Sequence, residues 1–277
     1  MPELPEVESA RRLIERAAGG YQLVKVWCAR DSIVFDGVSA ARMRLALTGR
    51  TVHAVQRRGK YLWIELDQRP WPCFHLGMTG HFQTRDTEPL KLASSPTIDE
   101  NDWPPRFTKL HLSISNGIEL VMTNKRRLGR IRLQENPPGE PPINQLGFDP
   151  LLDLPSLGQF STLLARRSTA IKTLLLDQRF AAGVGNWIAD EVLYQARVAP
   201  SRKASQLSDS EVRRIRLRLK HIVETAVRAD AKASNFPRTW LFHRRWRRDT
   251  NATLGGHRIE FLTIGGRTTA WLPELQK

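Results

Sequence analysis

The sequence contains only two cysteines, Cys28 and Cys73, in 277 residues. So few thiols exclude a disulfide framework, and they are typical of proteins in a reducing compartment. The chain also lacks an apolar run near the ~20 residues that a membrane-spanning helix needs, a lipidation signal, and the apolar core of a signal peptide. We therefore expect a protein that works inside the cell and away from membranes.

Acidic residues are also scarce relative to basic ones. The chain has 28 acids against 43 Lys plus Arg, which gives a net charge of +15. Residues 1–150 contribute +4 and residues 151–277 contribute +11, and most of the basic residues are arginines. Because arginine suits bidentate contacts to phosphates and bases, this excess indicates a nucleic-acid partner, with the second half as the main phosphate-binding surface.

The first half predicts one helix followed by a β-sandwich. The apolar residues of the helix share one face, and Gly19-Gly20 would end it: Val7, Ala10, Ile14 and Ala17. Asn116-Gly117 is a strong hairpin signal between two of the predicted strands. The strand candidates are residues 23–28, 50–55, 61–66, 72–76, 110–115 and 118–123. Residues 84–106 predict a surface loop.

The second half predicts helices. Residues 136–142 contain four prolines, which excludes a helix there and marks the approach to a boundary near 150. The predicted helices are 158–167, 170–178, 186–196 and 209–228. The last has an apolar face and a basic face: Val212, Ile215, Leu219, Ile222, Val223 and Ala226 against Arg213, Arg214, Arg216 and Lys220. We predict an α+β protein with a β-sandwich domain at 1–150 and a helical domain at 151–277.

The start of the chain, Met1-Pro2-Glu3-Leu4-Pro5-Glu6, carries the clearest chemistry. Removal of Met1 would leave the ring nitrogen of Pro2 as a free secondary amine with a pKa near ~8, so that a sizeable fraction is nucleophilic at neutral pH. Glu3 stands beside it as a candidate proton carrier. The alternative is that Pro2 only begins a secondary-structure element, with Glu3 and Glu6 as solvated acids of a first helical turn.

Several turns place side chains of interest next to strands and helices. Lys60 directly precedes an apolar strand and is a candidate site residue. The alternative is that Lys60 is a solvated charge at the end of the strand. Met78 lies between glycines in the stretch 75–80, which favours insertion between bases over a place in the core. The stretch 183–191, Gly-Val-Gly-Asn-Trp-Ile-Ala-Asp-Glu, lets the backbone approach a phosphate, and Asn186 can cap the next helix. A purely structural helix hairpin is the alternative for this last stretch.

The carboxyl terminus offers no metal site. Its segments 251–255 and 270–274 contain no cysteine, and His243 and His257 alone do not complete a ligand set, so we expect no bound metal and no cofactor. Gly265-Gly266 between two apolar stretches predicts a β-hairpin. Four arginines flank Trp246, either as backbone-contacting charges or as a solvated basic run: Arg244, Arg245, Arg247 and Arg248.

Taken together, these motifs resemble the formamidopyrimidine-DNA glycosylase and endonuclease VIII family over nearly the whole chain. The resemblance implies that Pro2 forms an imine with the deoxyribose of a damaged nucleotide, that Glu3 assists, and that Lys60 lies in the active-site cleft. It implies a helix-two-turns-helix element with Asn186 as its phosphate ligand. It also implies DNA-binding loops at 75–80, which begins with His75, and at 124–129.

In the family, three side chains from these two loops fill the gap left by an extruded base: here Met78, Arg126 and Leu128. Leu128 departs from the usual phenylalanine, which puts opposite-base recognition in doubt. The carboxyl terminus, about 240–277, resembles the zincless finger of the plant and fungal branch, and the resemblance implies that Arg267 enters the minor groove. Only residues 229–239 precede this finger, whereas bacterial relatives have a longer loop that closes over 8-oxoguanine.

The resemblance implies a bifunctional DNA glycosylase and apurinic lyase of base excision repair that nicks the strand by β,δ-elimination. Its expected substrates are oxidised purines in double-stranded DNA: formamidopyrimidines, hydantoins and, less well, 8-oxoguanine. We expect a monomer, in the nucleus of a eukaryote or the cytoplasm of a bacterium. The alternatives are a non-catalytic damaged-DNA-binding protein on the same scaffold and an RNA-binding or ribosomal protein of similar charge.

Overall fold

The computed structural model describes residues 1–86, 103–246 and 251–277. The chain divides into two compact units, Met1–Gln145 and Leu146–Lys277. Most of the loop predicted at 84–106 lies outside the described residues, as do Arg247 and Arg248.

The first unit begins with helix α1 (Leu4–Ala18), which ends at Gly19 as predicted, and its described residues form one further α-helix, α2 (Ala40–Leu47). Its eight strands are β1 (Leu23–Cys28), β2 (Val52–Arg58), β3 (Tyr61–Leu66), β4 (Trp71–His75), β5 (His81–Thr84), β6 (Thr108–Ile114), β7 (Glu119–Thr123) and β8 (Arg130–Gln134).

These strands form two antiparallel four-stranded sheets, in the orders β1-β6-β7-β5 and β2-β3-β4-β8. Apolar side chains from both sheets and from α1 pack into one core, among them Val7, Val26, Leu62 and Phe74. Gly117, with φ of 88°, lies in the turn between β6 and β7. The predicted sandwich and the predicted hairpin are thus confirmed.

Three elements of this unit were not predicted: α2, β5 and β8. Helix α2 is capped by Ser39 but buries only Met43 and Leu47, so its pattern is weak. Strand β8 alternates arginines with apolar residues, and Ile131 is fully buried in the core. The prediction of no helix at 136–142 is wrong in part, because Pro137–Gly139 forms a single 3-10 turn, where proline is tolerated in the first position.

The second unit contains all four predicted helices, with ends that shift by at most two residues: α3 (Leu157–Ala165), α4 (Ile171–Leu176), α5 (Asn186–Ala196) and α6 (Asp209–Arg228). All six predicted apolar residues of α6 are buried. Of its predicted basic face, Arg216 is half-buried, because its Nε donates to the Pro155 carbonyl at 2.6 Å.

The carboxyl terminus forms two short hairpins: β9 (Thr253–Leu254) with β10 (His257–Arg258), and β11 (Glu260–Ile264) with β12 (Arg267–Trp271). A small apolar cluster holds them, with Leu241, Ile259, Ala270 and Leu272 at its centre. Within the described ranges, no group of three His, Cys, Asp or Glu side chains is placed to hold a metal ion. Apolar packing in this cluster therefore stabilises the segment.

Both cysteines are free and buried, and burial raises the pKa of each thiol to about 12. Neither thiol is therefore activated as a nucleophile. Among the residues that the structure describes, no helix combines the length and the apolar character needed to cross a bilayer.

Candidate active site and nucleic-acid interface

The candidate nucleophile lies at the start of α1. Pro2 is buried just before the helix, and Glu3 is the helix N-cap. The backbone N–H of Glu3 donates to Glu6 Oε2 at 3.0 Å. Glu3 is 3% and Glu6 7% exposed. The alternative of two solvated first-turn acids is therefore wrong.

The amino-terminal amine shares its electrostatic environment with four charged side chains. With Met1 in place, burial lowers the pKa of the amine below its ordinary value of 8.0. The carboxyl groups of Glu3 and Glu6 oppose this shift, whereas the cations Lys60 and Arg126 add to it. Such surroundings favour a neutral, nucleophilic amine at neutral pH.

Glu6 is a buried acid that the sequence analysis treated only as a helix-start residue. Burial raises the pKa of its carboxyl to about 7, the neighbouring Glu3 raises it too, and backbone hydrogen bonds oppose the shift. A carboxyl that titrates near neutrality beside a candidate nucleophile is a proton reservoir for the site. The spacing Glu3-x-x-Glu6 is the sequence signal for this pairing, since it matches a capping box.

We expect Glu6→Gln to change how the stability of the first unit depends on pH. Because the folded-state pKa of Glu6 is above its unfolded value, the folded state binds the proton more tightly. Ionisation of Glu6 therefore lowers the free energy of unfolding of the wild type as the pH rises from 4.5 to about 7. Above this window the full loss is present. Urea unfolding at pH 5 and pH 8 should show a loss of about 2 kcal/mol in wild type that the variant lacks. Parallel pH profiles in the two proteins would contradict the assignment.

Lys60 lies in the tight turn between β2 and β3 and is only 8% exposed. Gly59 beside it has φ of 58°, which glycine adopts at little cost. Arg57 supports the turn, because its Nη1 donates to the Gly59 carbonyl at 3.1 Å and its Nε donates to Glu8 Oε2 at 3.1 Å. The buried Glu8 carboxylate belongs to α1, so this pair joins the helix that follows Pro2 to the turn that carries Lys60. A solvated strand-end lysine is therefore excluded.

His75 ends β4 and lies against Tyr61, with ring centroids 4.8 Å apart. Burial lowers the pKa of its imidazole to about 4, and nearby positive charges, Lys60 first, act in the same direction. The backbone N–H of Gly77 donates to His75 Nδ1 at 3.3 Å. Because Nδ1 accepts, the neutral ring carries its proton on Nε2, which leaves a hydrogen-bond donor suited to a phosphate oxygen.

The loops 76–80 and 124–129 lie directly against each other. A Cβ on Gly77, where φ is 64°, would come within 2.4 Å of the Leu128 carbonyl carbon. The backbone N–H of Arg126 donates to Thr79 Oγ1 at 3.3 Å. Leu128 is 43% exposed, Arg126 is exposed and Met78 is half-buried. We call these two segments the gap-filling loops, after the role that the resemblance implies for them.

Asn186 lies at the start of α5 but does not cap it. Gly185 occupies the N-cap position, and Asn186 is the first helical residue. Its Nδ2 instead donates to the Thr268 carbonyl at 2.9 Å. Its Oδ1 is buried and has no hydrogen-bond partner among the described residues. The predicted capping role is therefore wrong, because a residue with helical backbone angles cannot occupy the cap position.

A buried ion cluster ties β12 to α4 and α5. Lys172 Nζ lies 2.6 Å from Asp190 Oδ1, with both side chains fully buried. The same lysine donates to Thr269 Oγ1 at 2.7 Å and to the Thr268 carbonyl at 3.2 Å. The Ala270 N–H donates to Asp190 Oδ2 at 3.1 Å. Arg267 is exposed and directly precedes these three anchored residues, so the cluster fixes the strand that presents it.

The two arginines before Trp246, which the structure describes, do not form one solvated or DNA-contacting run. Arg245 is 8% exposed, and its Nη2 donates to Asp190 Oδ2 at 2.6 Å, which makes it the third member of the buried ion cluster. Arg244 is exposed. Both interpretations of this run are therefore wrong for Arg245, because a buried carboxylate and the ring of Trp246, 4.7 Å away, hold it inside the unit.

The structure thus groups the predicted residues into two sets. In the first unit, the charges of Glu3, Lys60 and Arg126 act on the amino-terminal amine. The charge of Lys60 also acts on the imidazole of His75. In the second unit, Asn186 contacts the residue that follows Arg267. The sequence analysis missed Glu6, Glu8 and Arg57, and only Glu6 has a sequence signal.

Three family models match the chain. Residues 1–131 match the formamidopyrimidine-DNA glycosylase N-terminal domain. Residues 146–238 match the H2TH domain of formamidopyrimidine-DNA glycosylase, and residues 240–273 match the formamidopyrimidine-DNA glycosylase-like C-terminal domain.

Similar proteins span the whole chain. A formamidopyrimidine-DNA glycosylase of Arabidopsis thaliana is 43% identical over 277 residues, which are 100% of this chain and 71% of that protein. A formamidopyrimidine-DNA glycosylase of Pelotomaculum thermopropionicum is 30% identical and covers 100% of this chain and 99% of its own. The Lactococcus lactis formamidopyrimidine-DNA glycosylase, in a crystal structure with DNA containing an AP site, has a TM-score of 0.80 at 23% identity and 99% coverage of both chains.

Proposed function

The chain belongs to the formamidopyrimidine-DNA glycosylase family, and on this premise we propose that it is a bifunctional DNA glycosylase and apurinic lyase of base excision repair. Its substrate is an oxidised purine nucleotide in double-stranded DNA. The observation that carries this proposal is the environment of the amino terminus, where the amine, two buried carboxyl groups and a buried lysine act on one another.

The proposed reaction begins when the free nitrogen of Pro2 attacks C1′ of the damaged nucleotide. The bond from C1′ to the base breaks, and the base leaves with the proton that the Pro2 nitrogen gives up. Protonated Glu3 then gives its proton to the ring oxygen, so that the bond from C1′ to that oxygen breaks and the sugar opens to an iminium ion, the charged form of the imine. Loss of a C2′ proton then breaks the bond to the 3′ phosphate. Loss of a further proton breaks the bond to the 5′ phosphate. Water finally releases the sugar fragment and restores the amine.

Donors in each unit bind the DNA backbone in this proposal. Lys60 and the Nε2–H of His75 bind phosphates from the first unit, and Asn186 and Arg267 do so from the second. The lesion is extruded from the stack, and the gap-filling loops insert Met78, Arg126 and Leu128 in its place. Leucine stacks less well than phenylalanine, so the recognition of the opposite base depends more on the arginine.

Formamidopyrimidines and hydantoin-type guanine products are the proposed good substrates, and 8-oxoguanine a poor one. The short connection at 229–239 supports this choice. Its Phe236 is buried, and the ring lies 5.7 Å from Trp187 and 5.2 Å from Trp240, centroid to centroid. A connection this short can offer fewer donors to the edge of a flipped base than a longer loop, so discrimination comes from ease of extrusion and pocket shape.

Single-turnover excision from matched duplexes tests this function. With each lesion opposite cytosine, we expect ring-opened and hydantoin lesions to be excised at least 10-fold faster than 8-oxoguanine, with strand nicking. Equal rates would contradict the short-connection argument. Tight binding to each duplex without release of any base would instead favour a non-catalytic damage-binding protein. A preference for RNA without nicking would favour an RNA-binding protein.

The proposed reaction uses no metal and no cofactor, and we propose that the protein acts as a monomer. The compartment follows the location of the genome, so it is the nucleus in a eukaryote and the cytoplasm in a bacterium.

A further inference from the structure

Arg127 lies between Arg126 and Leu128 in the second gap-filling loop, and all three residues are exposed. Arg127 differs from its two neighbours in its backbone: it has φ of 53°, a left-handed conformation that costs a non-glycine residue about 1 kcal/mol or more. Such a conformation persists only where the surroundings hold it. In Arg127, the contacts of the side chain hold this conformation.

The guanidinium of Arg127 forms a bidentate pair with the carboxylate of Asp31. Arg127 Nε donates to Oδ2 at 3.0 Å, and Nη2 donates to Oδ1 at 3.0 Å. The Asp31 side chain is only 5% exposed. This geometry is the strongest that arginine makes with a carboxylate, and it fixes direction as well as distance.

Asp31 is itself held in place by contacts that do not involve the loop. Lys109 Nζ donates to its Oδ2 at 2.8 Å, and the backbone N–H groups of Ile33 and Val34 donate to its Oδ1 at 3.2 Å each. Although burial raises the pKa of Asp31, the hydrogen bonds from Arg127, Lys109 and Val34 lower it well below its ordinary value. Asp31 is therefore a fixed, charged anchor at neutral pH.

The segment that carries Asp31 is joined to the strand that follows the loop. The Ile131 N–H donates to the Val34 carbonyl at 2.7 Å, and the Asp36 N–H donates to the Ile131 carbonyl at 3.0 Å. The other side of the loop is fixed by Thr79, which accepts from the Arg126 N–H. The loop is thus fixed on both sides, and the Arg127 guanidinium is held by Asp31 although the Arg127 side chain is 49% exposed.

We propose that Asp31 is a positioning residue for the second gap-filling loop: by pairing with Arg127, it fixes the loop so that Arg126 and Leu128 are presented for insertion into the space of an extruded nucleotide. This inference rests on the proposed function, since it assigns a role within the extrusion step. Asp31 contacts neither the sugar nor the base. Its effect is confined to the efficiency with which the loop inserts.

The direction in which Asp31→Asn changes base excision distinguishes a positioning role of Asp31 from a simple effect of its charge on DNA binding. Asp31→Asn removes a negative charge from a DNA-binding unit, which by electrostatics alone strengthens binding to DNA. It also releases the Arg127 guanidinium for direct contact with phosphate. A positioning role predicts the opposite outcome for excision, because the released loop loses its defined conformation.

The test compares single-turnover excision of a ring-opened purine opposite cytosine, at saturating enzyme, with cleavage of a preformed abasic site. We expect Asp31→Asn to slow base excision about 10-fold, since small misplacements near a reacting centre cost at least that much. Cleavage of the abasic site should change less than 2-fold, because less pairing and stacking opposes its extrusion. Affinity for undamaged duplex should stay equal or rise.

Three further variants make the test decisive. Asp36→Asn is the matched control, because Asp36 pairs with Arg132 with both side chains 39% exposed, and it should excise like wild type. Arg127→Gln leaves the pair of Asp31 with Lys109 intact, so it serves if Asp31→Asn does not fold, and it should show the same loss. Asp31→Asn combined with Leu128→Ala should be no slower than Leu128→Ala alone.

An active wild type with unchanged excision in Asp31→Asn and Arg127→Gln would overturn the inference while leaving the proposed function standing. Additive losses in the combined variant would also overturn it. A wild type that excises no base would instead contradict the proposed function.

Discussion

A form of the protein that keeps Met1 should lose covalent trapping on abasic-site DNA by about 10³-fold or more. With Met1 attached, the nitrogen of Pro2 is an amide without a basic lone pair, and it can form no imine. The measurement is the fraction of DNA retained on protein after borohydride reduction, with the form of each preparation proven by mass spectrometry. The matched control is the same chain with Met1 removed.

Duplex binding should be nearly equal in the two forms, because the phosphate donors proposed here lie elsewhere in the chain. Loss of trapping together with loss of binding would indicate misfolding rather than loss of the nucleophile. Equal trapping by a form that is proven to keep Met1 would contradict the proposed mechanism.

The second large effect concerns the buried ion cluster of Lys172, Asp190 and Arg245. Asp190→Asn should destabilise the second unit by about 3–5 kcal/mol, because it leaves two buried cations without their shared counter-charge. The variant should also weaken DNA binding, since strand β12 presents Arg267. The measurement is thermal and urea unfolding, with duplex affinity determined under conditions in which the variant is folded.

Two comparisons separate this cluster from other sources of stability. A chelator should leave the unfolding midpoint of wild type unchanged, since the finger is held by apolar packing and this cluster. Glu224→Gln removes an exposed pair with Lys220, whose nearest atoms are 3.8 Å apart, and should cost less than about 1 kcal/mol. A similar loss in Asp190→Asn and Glu224→Gln would show that the cluster does not anchor β12.

Local patterns predicted the regular elements because each leaves a short-range signal. The apolar face of α6 repeats at helical spacing, and all six of its residues are buried. Asn116-Gly117 specifies its hairpin within a few residues. Strand β8 was missed although its alternation was present, because its two arginines obscured an apolar face of only two residues.

The charged residues of the site could not be predicted in the same way. Arg127 and Asp31 are 96 residues apart in sequence, and Arg245 and Asp190 are 55 apart. An arginine paired with a buried carboxylate looks in sequence like any solvated charge, so only the fold shows which arginines have such a partner. The Pro2-Glu3 start was interpretable because the nucleophile and its acid are adjacent, whereas the burial that raises the pKa of Glu6 comes from the folded unit.

The proposed mechanism depends most on which protein atom is covalently bonded to the DNA during the reaction. Proteolysis and mass spectrometry of the borohydride-reduced complex identify that atom directly. We predict that the sugar remnant is attached to the amino-terminal peptide that begins with Pro2, on the ring nitrogen. Attachment to Nζ of Lys60, or to any other lysine, would contradict the central claim.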